Sequence, residues 1–136
     1  MTPVLTGRWR DVYDAARTGV PLDYTPTRIS LGIPRYMPEG RAFPAIRELM
    51  PRGHLFRLEG DEFDAAFRIH LDGVGVETIR TRFAEVYAAD PRPLLLLCFE
   101  RVQAGERCHR RTLADWWSSR PASASPRPTC RSARRA

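Results

Sequence analysis

Leu94-Leu95-Leu96-Leu97-Cys98-Phe99, introduced by Pro91 and Pro93, is the stretch on which the fold turns. A strand with water on one side alternates apolar and polar side chains. This run is apolar at every position, which is how a strand buried between helices reads. Upstream, Val76, Ile79, Phe83 and Val86 mark one face of an amphipathic helix that ends before Asp90-Pro91. Before that, Phe63, Ala66, Phe67 and His70 fall at i, i+3, i+4 and i+7, the face of another helix. Asp61 is its expected N-cap, Glu62 and Asp64 suit the positive end of its dipole, and Asp72-Gly73 is expected to break it. Downstream, a loop containing Gly105 leads to Cys108, and Leu113, Ala114 and Trp117 predict a last helix.

The N-terminal part is less periodic. Trp9, Val12 and Ala16 have helical spacing, closed by Gly19, after which Pro21 and Pro26 impose extended chain. Arg28-Ile29-Ser30-Leu31-Gly32 alternates and predicts a strand stopped by Gly32 and Pro34. Pro44 suits the first turn of a short helix with Ile46, Leu49 and Met50 inward, ended before Pro51. Strand, helix, strand, helix predicts a single α/β domain of three-layer type over residues 1–117, a small, mainly parallel sheet flanked by helices.

Composition excludes several chemistries. All 22 basic residues of the 136 are arginine, and there is no lysine and no asparagine. A lysine Schiff base, a lysine general base and a Walker-type phosphate loop are therefore absent. So are the kinase catalytic loop and an N-glycosylation site, which need asparagine. No apolar run approaches the roughly 18 residues of a membrane span, and no apolar signal region opens the chain. The expectation is a cytoplasmic protein with no membrane partner and reduced thiols, since three cysteines make no disulfide framework.

The charge is unevenly placed. Five arginines and no acid lie in residues 118–136, which leaves 17 arginines against 16 acids in residues 1–117. The body is nearly neutral, and the formal charge of +6 mostly reports the tail. That tail of Ser, Arg, Pro and Ala has too little apolar character to order itself and is expected to be disordered.

Chemistry gathers around one loop. Cys98 and Glu100 face the same side at the carboxyl end of the most buried strand, where open α/β sheets bind ligands. Cys108-His109-Arg110 follows at the expected start of a helix, whose dipole favours thiolate and whose free N–H groups can hold an anion. Arg110 adds a guanidinium able to grip two oxygens.

Leu96-Leu97-Cys98-Phe99-Glu100, Cys108-His109-Arg110 and Leu113-Ala114-Asp115-Trp116 together resemble the C-terminal signature of the domain-of-unknown-function 488 family (YeaO-like proteins). Arg28-Ile29-Ser30-Leu31-Gly32-Ile33-Pro34-Arg35 resembles its N-terminal strand and loop, so the resemblance covers roughly residues 24–117. It implies a compact α/β fold with these motifs on one side, and no particular reaction. The shared positions are Arg28, Ser30, Pro34, Arg35, Cys98, Glu100, Cys108, His109 and Arg110. After the paired tryptophans such proteins continue the helix into a short ordered segment. The abrupt change at Ser118 instead reads as an altered reading frame or a lineage-specific extension.

Three function classes follow. In the first, a small anion- or nucleotide-handling site uses Cys108 as nucleophile or redox thiol and His109 as the acid/base, with Glu100 as a further catalytic residue, and Arg28, Ser30, Arg35 and Arg110 to hold the anion. The phosphatase pattern fails because Ala114 stands where its arginine would be, and CxxC, GxSxG and GxGxxG are absent. The second is a metal site from Cys98, Cys108 and His109, whose spacing matches no standard finger. The third is a non-catalytic nucleic-acid-binding module working through Arg120, Arg127, Arg131, Arg134 and Arg135. Plainer readings stand beside these. Cys98 can be buried packing, His109 can hydrogen-bond its loop, and Arg28 and Arg35 can pair with Glu100. His70 reads as a satisfied core histidine, and Trp116 and Trp117 as packing.

Overall fold

The computed structural model describes residues 2–98, 109–119 and 129–130. Among them, strands β1 (Val4–Arg8), β2 (Thr25–Arg28), β3 (Leu94–Cys98) and β4 (Thr129–Cys130) form one sheet in the order β2-β3-β1-β4. All three pairings are parallel. Helices α1 (Trp9–Ala16), α2 (Gly60–Val74), α3 (Val76–Ala89) and α4 (His109–Ser118) complete an α/β fold, with short 3-10 turns at Pro38–Ala42, Arg47–Leu49 and Gly53–Arg57.

β3 explains its own composition. Every one of its residues is buried. Leu94, Leu96 and Cys98 join Phe67 and Leu71 of α2, Ile79 and Phe83 of α3, and Leu113, Trp116 and Trp117 of α4 in one core. Leu95 and Leu97 join Trp9, Val12, Tyr24 and Met37 in a second. A strand's side chains alternate between faces, so β3 separates two dry layers and has no polar position to spare. In the second layer Gly40 lies flat against Trp9, where an added Cβ would come within 2.6 Å of the indole ring.

Several expectations shift. The strand expected at 28–32 lies at Thr25–Arg28. Pro26 is tolerated because β2 is an edge strand: Thr25 and Ile29 donate to Pro93 O and Leu97 O, so by alternation position 26 needs no N–H toward β3. On its outer side Arg28 exchanges backbone bonds with Pro44 and Ile46, which keeps residues 44–46 extended and shortens the expected helix to the 3-10 turn Arg47–Leu49. Ile46, Leu49 and Met50 are nonetheless buried. Glu59, not Asp61, is the N-cap of α2, and α2 runs through Asp72-Gly73 to end at Gly75. Gly75 adopts φ +90°, a conformation that glycine accepts without penalty, and joins α2 to α3. β1 was not expected at all. Its register, Val4 opposite Leu94 through Arg8 opposite Cys98, puts it beside the most apolar strand, where pairing outweighs its own weak pattern.

α4 includes Ser118, and Thr129–Cys130 pairs with β1. An uncovered edge of β1 would leave a row of unpaired backbone groups, which a short edge strand satisfies even in a polar segment. No helix among the described residues is long and apolar enough to cross a membrane.

Candidate anion site at the carboxyl edge of the sheet

Parallel strands bring their carboxyl ends to one edge. Here that edge carries Arg8 at the end of β1, Arg28 at the end of β2 and Cys98 at the end of β3. Arg8 is in register with Cys98 and Arg28 with Leu97, so the two arginines flank β3 at nearly the same level.

The first turn of α4 is pinned to this edge by His109. Its Nε2 donates to the carbonyl of Ile29, just past β2, at 2.7 Å, and its ring meets Phe67 edge-on at 5.6 Å. A carbonyl only accepts, so Nε2 carries the proton. Burial pushes the imidazole down to about 4, the neighbouring Arg110 charge adding to the effect and the Ile29 bond opposing it. His109 is therefore neutral at pH 7 and holds the loop to the helix, the plainer of its two readings. Arg110 is half-buried in the same turn.

The remaining expected residues separate. Ser30 is buried, and its hydroxyl accepts from Trp9 Nε1 at 2.9 Å and donates to Gly32 O at 2.8 Å. Its single proton is spent inside the fold. Arg35 is exposed on the following loop. Arg28 is half-buried; its Nε is sealed from solvent with no hydrogen-bond partner, and no described residue forms an ion pair with it. Glu100 and Cys108 lie outside the described residues, as does any pairing of Arg28 or Arg35 with Glu100.

Cys98 corrects the expectation of reduced thiols. It is fully buried and disulfide-bonded. With Cys98 oxidised, it offers no thiolate to the metal reading. No group of three or more His, Cys, Asp or Glu able to hold a metal occurs among the described residues.

One residue of this edge escaped the sequence reading. Arg8 is held by Asp11, which is almost wholly buried, through Nε at 3.2 Å and Nη2 at 2.8 Å to the two carboxylate oxygens. The signal was present as Arg8 and Asp11 three apart across a helix start, a spacing that brings side chains together.

Against known proteins the chain stands apart: no family model, no curated protein and no solved structure matches it.

Proposed function

We propose that this chain binds a small anion, a phosphate or carboxylate group, at the carboxyl edge of its sheet. Arg28 and Arg110 supply the charge, the first turn of α4 supplies backbone N–H groups, and Cys108 and Glu100 supply the reactive side chains. His109 acts by fixing the turn rather than by carrying protons. The reading sits with the domain-of-unknown-function 488 resemblance, which shares these positions.

The observation that supports it is the state of Arg28. A guanidinium nitrogen sealed from water without a hydrogen-bond partner is costly, and such groups are rare without a ligand, ion or water to satisfy them. Its place beside the carboxyl ends of parallel strands is where ligands of open α/β sheets are held.

The test is calorimetric titration with inorganic phosphate. A hydrogen bond to a charged group contributes about 1.5–3 kcal/mol, so Arg28→Met should weaken binding roughly ten- to a hundredfold. Equal affinity in the variant and the parent chain would overturn the proposal. After mild reduction, Cys108 should alkylate with a midpoint below the ordinary thiol value of about 8.5. An ordinary midpoint would remove its role as nucleophile and leave the anion site standing.

A further inference from the structure

A second surface, sharing no residue with the carboxyl edge, has the form of a ligand groove. Phe63, Phe67 and Leu71 of helix α2 face the core, as an amphipathic helix requires, with Ala66 and Val74 packed at its margin. Ala66, Val74 and the exposed Ile69 line a groove of about 720 Å³ together with Met50 and Leu55 from the segment facing them. Such a volume is ordinary for small-molecule sites, which span roughly 300–1,000 Å³. Met50 and Leu55 are buried and make the floor, whereas Ile69 is 71% exposed at the lip.

The mouth is positive. Arg47, Arg52 and His54 line the groove and are exposed, and neither arginine is in an ion pair among the described residues. The one acid in the lining, Glu48, is already engaged. Its carboxylate accepts from Arg82 Nε at 2.8 Å, which holds it below the usual carboxylate range. The backbone carbonyl of Glu48 accepts from His70 Nε2 at 2.7 Å, so His70 too is occupied. What remains is an apolar trough with two guanidinium groups at its rim, Arg52 close enough to Glu48 to help hold that carboxylate ionised and Arg47 without an ion pair among the described residues.

We infer that this groove binds a small apolar monocarboxylate. The acyl or aryl body lies against Met50, Leu55, Ala66, Ile69 and Val74, and the carboxylate meets Arg47 and Arg52. Charge selects an anion over a cation. The apolar lining selects an alkyl or aryl body over a sugar or a nucleobase, which would leave polar groups unpaired. Length selects a small molecule over a partner helix: from Ala66 to Val74 the groove follows α2 for about 12 Å at 1.5 Å per residue, little more than two helical turns.

The test uses the full chain and decanoate below its self-association concentration, read by displacement of a fluorescent anilinonaphthalene sulfonate. Decanoate should bind saturably. Acetate, lacking the body, and decyltrimethylammonium, carrying the opposite charge, should not displace the probe at the same concentrations. Ile69→Glu alters an exposed position, leaves the core intact and should weaken decanoate at least tenfold. The Arg47→Gln/Arg52→Gln double variant should do the same while leaving the affinity for decanol unchanged. No saturable decanoate binding, equal binding of the cationic analogue, or variants that bind like the parent would each overturn the inference. Arg28→Met should leave decanoate binding untouched; a matching loss there would place the ligand at the sheet edge and overturn the groove assignment.

Discussion

His109 shows how position converts a titratable side chain into a structural one. Its imidazole is buried between α4 and β2, and its folded pKa is held down to about 4 against an ordinary value of 6.5. A depressed histidine is protonated more readily in the unfolded chain. Its contribution to stability is therefore intact above pH 6.5 and is lost as pH falls from 6.5 to about 4. The loss should total roughly 3 kcal/mol. Urea unfolding across that window should show it, and His109→Gln, which cannot charge, should flatten the dependence. An equal pH slope in the variant would mean that another group carries the effect. Arg28 makes the complementary case. Among 22 arginines it was expected to hold an anion only through its place in a family-like motif, and its sealed Nε is the physical observation that adds to that expectation.

At the scale of elements, two polar ties fasten α4 to α2. Thr112, fully buried, donates its hydroxyl to Asp64 Oδ1 at 2.7 Å, and Trp116 Nε1 donates to Asp72 Oδ1 at 2.8 Å. Asp64 also receives Arg68 Nε at 3.0 Å, so it is ionised and its bond to Thr112 is charge-assisted. Thr112→Val keeps the shape and removes the donor. It should cost about 1.5–3 kcal/mol in denaturant unfolding, and Thr112→Ser should recover most of that. The helices themselves were legible beforehand. Phe63, Phe67, Ile79 and Phe83, chosen on spacing alone, are all buried, because a period of 3.6 is a local property of the chain. Their ends were less so. Asp72-Gly73 looked like a stop, yet α2 runs on to Gly75. A helix packed along its length tolerates one glycine that an isolated helix would not.

For the whole molecule, the decisive feature is that β3 is covered on both sides. Leu95 and Leu96 point into different cores, one with Trp9 and Val12, the other with Phe67 and Leu113. Leu95→Ala and Leu96→Ala should each cost about 2–5 kcal/mol, as fully buried leucines do. A sheet with one wet face would show one large and one small effect, and that result would refute the layered arrangement. The quality that made this run conspicuous in the sequence was its lack of alternation, and over Leu94–Cys98 burial on both faces is the physical reason for it.

The chain on its own therefore determined the α/β class, the helices and the most buried strand, since each depends on local periodicity and on hydrophobic content. It also excluded lysine chemistry outright. Only the tertiary structure decided the rest. β1 and β4 exist because neighbours pair with them, not because their residues prefer to be strands. The bond from His109 to Ile29 and the oxidised state of Cys98 depend on which atoms the fold brings within reach. So does the groove beside α2, which exists only because the segment from Arg47 to Leu55 stands opposite that helix. Proximity between residues distant in sequence is set by how layers pack, and no local pattern in the chain encodes it.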